Sequence, residues 1–275
     1  MESVPKTIIK PHRGPLQFNL RELWAYRELL IFLIWREVSV RYKQSVIGIG
    51  WAIIQPVVSM IIFTLIFGGL ANMPSDDVPY AIFSFAALLP WRYFASAFGS
   101  GSQSLVGQAN LITKVYFPRL IVPLTSILTP LVDFAIAFVI LLLMMPFFGI
   151  LPTLRALMVI PFMFMALLTS LSVSLWLSAL NVRYRDIGHA IPFLVQIWMY
   201  MSPVIYSASL VPDAVRPFYA LNPMTGVIEG FRWALLDTPA PDITMMGISL
   251  AIIILLLFGG LIYFNRTERT FADVI

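Results

Sequence analysis

The chain contains no cysteine, which excludes disulfides, thiol nucleophiles and thiolate metal sites. Its two histidines, His12 and His189, stand far apart and fit no metal-ligand spacing, so no metal centre is expected. Charge is scarce as well. Only 12% of the residues are charged against 59% hydrophobic, which leaves little from which to build a soluble domain. The four lysines, Lys6, Lys10, Lys43 and Lys114, do not follow a glycine-rich loop of the kind that cradles nucleotide phosphates. The chain is therefore expected to hydrolyse no nucleotide itself. Paired carboxylates and histidine clusters are missing too, which argues against a membrane-bound transferase.

What is present is long apolar runs. Residues 44–75, 156–182, 187–212 and 243–265 carry no charge, while 78–112 and 120–154 are interrupted once each, by Arg92 and Asp133. A bilayer core of ~30 Å takes about 20 helical residues at ~1.5 Å each. An all-α polytopic membrane protein with six transmembrane helices follows, with spans at 50–70, 80–104, 121–147, 156–180, 188–207 and 243–264. Residues 1–43 form an arm, 44–265 the membrane domain and 266–275 a tail.

The basic residues fix the expected orientation. Eight lie in the N-terminal arm; Lys114 and Arg119 lie in the second loop, Arg183 and Arg185 in the fourth, and Arg266 and Arg269 in the tail. The first loop has only Asp76 and Asp77, and the third only Arg155. Lys and Arg are retained on the cytoplasmic side, so both termini are expected in the cytosol. Topology and lipid contact account for the net charge of +4, and nothing in it points to nucleic acid. The first 43 residues are too polar for a secretory signal peptide, and the first span is expected to be its own uncleaved insertion signal.

Within the arm, residues 1–18 hold three prolines and a glycine and are expected to be irregular. Asn19 with Glu22 three residues on reads as a capping box that opens a helix. Leu20, Leu23, Trp24, Leu30, Ile31, Ile34, Trp35 and Val38 recur at helical spacing, broken by Arg27. Such an amphipathic helix is expected to lie in the cytosolic interface, to pack on a soluble partner, or both. After the second span, a short cytosolic helix is expected over about 110–117, stopped by Pro118. The outer loop from Ser207 to Asp242 holds five prolines yet includes the apolar VIEGFRWALL, which suits two short re-entrant helices. Pro56, Pro130, Pro161 and Pro192 are expected to bend their spans. No internal repeat is visible, which counts against an inverted-repeat transporter.

Several residues invite a functional reading beside a plainer one. Arg92 falls midway along the second span, where a guanidinium is costly unless it faces protein or water. It faces a cavity, snorkels from a helix that starts later, or pairs with Asp133. Asp133 itself reads as a relay or as the partner of a nearby donor. The Arg41-Tyr42-Lys43-Gln44 cluster either anchors the chain at the headgroups or binds phosphate through Arg41 and Lys43. Trp51, Trp91, Tyr93 and Trp198 are belt and packing residues or the walls of a translocation path.

Five segments in order carry a resemblance. RELLIFLIWREVSVRYKQSVIGIGWAIIQP, LLPWRYF, LITKVYFPRLIVPL, NVRYRDI and LNPMTGVIEGFRWALL resemble the type-2 ATP-binding-cassette export permeases of the polysaccharide class, over about residues 20–265. The resemblance implies a homodimer in the bacterial inner membrane, served by two nucleotide-binding ATPase subunits that hold the ATP and Mg. It implies no cofactor in this chain, an interface helix over 20–40, and a coupling helix at 110–117. Lys114, Tyr116, Pro118 and Arg119 would dock there, with Arg183, Arg185 and Asp186 on a second cytosolic turn. The outer segment 208–236 would form gate helices carrying Asn222, Pro223, Glu229 and Arg232. Substrates of such permeases are lipid-linked glycans on undecaprenyl diphosphate, which gives Arg41 and Lys43 an anionic headgroup to bind. An exporter of drugs or small lipids with the same fold is the rival.

Overall fold

The computed structural model describes residues 20–43, 47–212, 215–268 and 271. The expected irregular arm 1–18, the Asn19 cap and Gln44 lie outside them. The described residues form helices joined by turns and loops, without strands. In chain order the helices are α1 (Leu20–Ala25), α2 (Arg27–Lys43), α3 (Gly50–Phe63), α4 (Tyr80–Gly107), α5 (Ala109–Lys114), α6 (Ile121–Leu128), α7 (Pro130–Met144), α8 (Val159–Arg183), α9 (Asp186–Tyr200), α10 (Arg216–Tyr219), α11 (Pro223–Leu236) and α12 (Ile243–Glu268).

Five continuous helical stretches among the described residues are long and apolar enough to cross a bilayer: Gly50–Leu70, Tyr80–Gly107, Ile121–Phe148, Leu154–Arg183 and Ile243–Glu268. They coincide with five of the six expected spans to within a few residues. The remaining one differs. Helix α9 stops after 15 residues, about 22 Å of axis, where 188–207 was expected to span. Its apolar run does not end at Tyr200, but its helix does: Pro203 follows three residues on and cannot continue it, and the carbonyls of residues 203–206 are taken up by Arg232 and Tyr80.

Helix α4 is the mast of the bundle. It packs on α3, α6, α7, α8, α9 and α11, and Ile82, Phe83, Phe85, Phe94, Ala97 and Phe98 are fully or almost fully enclosed. Among lipid tails there is little hydrophobic gain in joining apolar helices, so close van der Waals fit has to hold them. Small residues supply it. A Cβ on Gly101 of α4 would come within 2.7 Å of Ser174 on α8, and one on Gly259 of α12 within 2.8 Å of the Trp176 ring.

The prolines act by position. Pro56 and Pro192 lie inside α3 and α9, and Pro130 starts α7 and separates it from α6. Pro161 lies in the first turn of α8, where a proline is harmless. Beyond Phe63, α3 continues as a π-helical stretch, Thr64–Leu70, that brings Gly68 against the Tyr80 ring; a Cβ there would lie 2.9 Å from that ring.

One end of the bundle is basic. There a second cluster joins Leu33 of α2, Ile112 of α5, Phe117, Ile121, Leu175, Val182, Phe264 and Phe271. Helix α2 is apolar on two sides. Leu33, with Leu29 and Leu30, docks on this cluster, joined by Tyr26 just before the helix, while Ile31 and Trp35 point outward, as does Trp24 of α1. The stripe expected from spacing omitted Leu33, which is the buried one. Arg36 donates to Gln108 Oε1 at 3.0 Å and Thr129 donates to Glu37 at 2.9 Å, so the docked face carries polar ties as well.

Candidate functional site

A cavity of about 380 Å³ opens between the end of α2, the start of α3, the middle of α4 and the first half of α7. Arg41 and Tyr42 enter it from α2, and Trp51, Ala52, Gln55 and Pro56 from α3. Leu89, Arg92, Tyr93 and Ser96 enter from α4, and Pro130, Asp133, Phe134 and Ala137 from α7. Three separate stretches of the chain, around residues 41–56, 89–96 and 130–137, thus supply one polar recess in an otherwise apolar wall.

Its charges are arranged in two groups. Arg41 and the Tyr42 hydroxyl both donate to the Asp133 carboxylate, one to each oxygen. Arg92 donates to Gln55 Oε1 at 2.6 Å and to Ser59 Oγ at 3.2 Å. Among the described residues Arg92 has no carboxylate within ion-pairing distance. The expected alternative of an Arg92–Asp133 pair is therefore replaced by an Arg41–Asp133 pair, with Arg92 held by neutral groups in the same cavity. That arrangement answers the cost of a mid-span guanidinium: it faces a polar recess and carries two hydrogen bonds.

Of the residues singled out from sequence, Arg41, Trp51, Arg92 and Tyr93 converge on the cavity. Tyr93 is buried and its hydroxyl donates to the Ile127 carbonyl at 3.2 Å, fixing one wall. Lys43 is not among the lining residues; its ammonium sits 5.3 Å from the Trp35 ring centroid, on the outward side of α2. Trp91 is buried against Phe94. Trp198 stands against Phe94 and Phe98, with centroids 4.9 and 5.9 Å away, and takes no part in the cavity. Gln55 and Ser59 escaped sequence reading although a signal existed. They are the two polar side chains in the aliphatic stretch of α3, four residues apart and hence on one face with Trp51.

At the basic end, Lys114, Val115 and Tyr116 are exposed while Phe117 is buried beneath them as an anchor. Helix α5 covers Ala109–Lys114 and then gives way to an extended turn through Pro118, so it is shorter than the 110–117 expected. Arg119 closes the turn by donating to the Glu268 carbonyl at the end of α12. The Tyr116 phenol is pushed above its ordinary value, first by partial burial and then by the nearby Glu22 and Glu268 carboxylates. Arg183, Tyr184, Arg185 and Asp186 form a second exposed turn, with Arg183 over the Tyr184 ring.

At the opposite end, Asn222 caps α11, its Oδ1 accepting from Met224 N at 3.1 Å and from Trp198 Nε1 at 2.8 Å. Pro223 follows at the first helical position, where its missing N–H costs nothing. Arg232 is enclosed and donates to the carbonyls of Pro203, Val204, Tyr206 and Phe83. Glu229 is only partly covered. Tyr80 donates to the Ile205 carbonyl at 2.6 Å, and Ser207 and Ser209 donate to Asp76.

A bundle of apolar spans with basic turns at one end and a recess holding Arg41 and Arg92 in its wall defines a multi-pass helical membrane protein. The chain belongs to the ABC-2 type transporter family, whose model matches residues 28–236. It is similar to the O-antigen export system permease protein RfbA of Myxococcus xanthus, 29% identical over 93% of this chain and 98% of that one. A protein of the same name from Klebsiella pneumoniae is 24% identical over 94% and 98%. The polysialic acid transport protein KpsM of Escherichia coli is 21% identical over 86% and 92%.

Proposed function

We propose that this chain is the permease subunit of an ATP-driven exporter that moves a lipid-linked polysaccharide, carried on undecaprenyl diphosphate, across the bacterial inner membrane. Two copies of the chain would flank the path, with α9 as a short sixth crossing and both termini in the cytosol. Two ATPase subunits would dock on Lys114–Arg119 and Arg183–Asp186, and the segment 208–236 would form the outer gate. ATP binding on the partner moves the docking turns, and the anchor Phe117 carries that motion into the core of the basic end.

The observation that carries this reading is the convergence of Arg41 and Arg92 on one cavity beside the sparsely covered α3. A lipid headgroup entering from the bilayer meets two guanidiniums there, groups that grip phosphate oxygens in a forked geometry. Trp51 at the mouth offers a flat apolar face to the first sugar or isoprene unit. Names of relatives that refer to O-antigen export and polysialic acid transport support a glycan as cargo.

The test is ATPase activity of the permease co-purified with its ATPase subunit in lipid nanodiscs. Undecaprenyl-diphosphate glycan should stimulate it, and Arg41→Gln and Arg92→Gln should each reduce that stimulation at least about tenfold. Stimulation by hydrophobic drugs alone would transfer the chain to a drug exporter; failure of any ATPase to associate would remove the exporter reading altogether.

A further inference from the structure

Helix α12 is tied to the bundle at both ends and in the middle, and its end ties reach the two regions that export would set in motion. We infer that α12 is a rocking rod that carries the stroke of the docking turn to the outer gate, with Trp176 of α8 as its pivot. The role presupposes the docking and gate assignments proposed above.

At the basic end, the Glu268 carbonyl accepts from the Arg119 guanidinium, and the Glu268 carboxylate accepts from the Arg119 backbone N–H at 3.3 Å. Arg119 closes the turn that presents Lys114 and Tyr116. Phe264 and Phe271 seat the same end of α12 in the apolar cluster that also holds the anchor Phe117, their rings edge to face with centroids 5.3 Å apart. Towards the opposite end, Ser249 is 1% exposed and donates to the Ala220 carbonyl at 2.8 Å. Ala220 lies in the turn between α10 and α11, just before the Asn222 cap. One straight element thus grips the docking turn and the gate segment at once.

Between these ties sits a socket. The Trp176 ring fills the notch left by Gly259 and Gly260, where a Cβ would fall 2.8 and 3.0 Å from it. Its indole nitrogen donates to the Leu256 carbonyl at 2.9 Å, and the ring stacks on Tyr263 with centroids 5.1 Å apart. The enclosed residues of α12 are Ser249, Ile253, Gly260 and Phe264, which fall within about 60° of one another around the helix. Leu255 and Phe258 face outward. A helix that touches its neighbours along one line can tilt about a socket on that line. Helix α4 also runs from the docking end to the gate, but it is enclosed by six neighbours and serves as the fixed frame. From Gly260 the docking tie lies about 12 Å along the axis and the gate tie about 16 Å the other way. Movement of the docking turn therefore reaches the gate reversed in direction and slightly enlarged.

The experiment reconstitutes the full permease–ATPase complex in proteoliposomes with undecaprenyl-diphosphate glycan and reads glycan exported per ATP hydrolysed. Ser249→Ala cuts the gate tie, and Trp176→Phe removes the pivot's N–H while keeping a ring. Each should leave ATPase association and hydrolysis unchanged and lower export per ATP at least about fivefold. Ser249→Thr restores a hydroxyl and should recover most of the ratio. Ile253→Val, a packing change on the same stripe, should lower the yield of folded complex and leave the ratio alone. If Ser249→Ala and Trp176→Phe reduce hydrolysis and export in proportion, the two residues merely hold α12 in place and the rod role is wrong. An unchanged ratio in both variants overturns it equally, while the exporter reading stands. If the wild-type complex exports no glycan, that reading fails and the rod falls with it.

Discussion

The guanidinium of Arg232 lies over the ring of Phe83, its central carbon 3.5 Å from the ring centroid. This contact joins α11 to α4 and adds a cation–π attraction to the four carbonyl hydrogen bonds that hold the same side chain. No acidic residue among those described forms an ion pair with it; the carbonyl dipoles, with the Asp76 and Glu229 carboxylates nearby, supply the negative potential. Arg232→Met should leave those carbonyls without their donor and destabilise that end of the bundle by ~3 kcal/mol. Arg232→Lys should rescue little, since one ammonium cannot span acceptors arranged for a fork. Residual folded fraction after a heating series in detergent measures both.

Asn222 and Trp198 form a second tie, with the indole nitrogen donating at 2.8 Å. Asn222→Ala removes both the cap of α11 and the indole's acceptor. A loss of ~1–2 kcal/mol is expected, visible as faster protease cleavage in the 201–222 segment. Trp198→Phe should keep the packing on Phe94 and Phe98 and cost less.

The spans were legible because apolar runs of bilayer length leave few alternatives for a backbone that must satisfy its own hydrogen bonds. The end of α9 was legible only in part. Pro203 marks where a helix falters within the apolar run 187–212, but that the carbonyls of Pro203, Val204 and Tyr206 are taken up by Arg232, 26 to 29 residues further on, depends on tertiary structure. The cavity was half legible. Arg41, Arg92 and Asp133 each stood out as charges in unusual places, but which of them meet depends on how α2 lies against α7, a contact between residues 92 positions apart. Lys43 looked like a natural companion for Arg41 by adjacency. Two residues further along a helix is 200° around it, and Lys43 lies over Trp35 instead.

Gly230 sits so close to α8 that a Cβ would fall 2.2 Å from the Phe162 ring. Gly230→Ala should cost ~1–3 kcal/mol by forcing that ring aside. Combining it with Phe162→Leu should recover part of the loss, and a double-mutant cycle on thermal stability would expose the coupling. Additive losses would mean that the two positions do not touch.

Phe117 and Tyr116 are neighbours with opposite roles. Phe117→Ala should destabilise the basic end by ~3–5 kcal/mol, as for other buried phenylalanines. Tyr116→Ala and Lys114→Ala, both exposed, should change stability by no more than ~0.5 kcal/mol and still weaken association with the ATPase subunit. Co-purification yield separates the two effects.

Asp242 precedes α12 and accepts from the backbone N–H groups of Thr244 at 2.7 Å and Met245 at 3.3 Å. Those bonds favour the ionised carboxyl and hold its pKa below the usual value. Its stabilising contribution is therefore complete above the ordinary aspartate pKa and is lost as pH falls through the lowered folded value. Wild type and Asp242→Ala should differ in melting temperature near pH 7 and converge in strong acid. A difference that persisted there would assign the effect to packing.

The π-helical stretch at Thr64–Leu70 has a consequence for how this chain tolerates length changes. A wide turn accommodates an extra residue without disturbing the helix on either side of it. Removing one residue there would restore ordinary winding and leave the segments on either side near their present bearings, because the wide turn is what absorbs the extra residue. The stretch itself would tighten and Gly68 would lose its place against the Tyr80 ring, whereas Trp51, Gln55 and Ser59, upstream of it, would keep their bearing on Arg92. A single-residue deletion here should therefore cost less than one in the middle of α3, which makes the wide turn the place where this span tolerates a change of length.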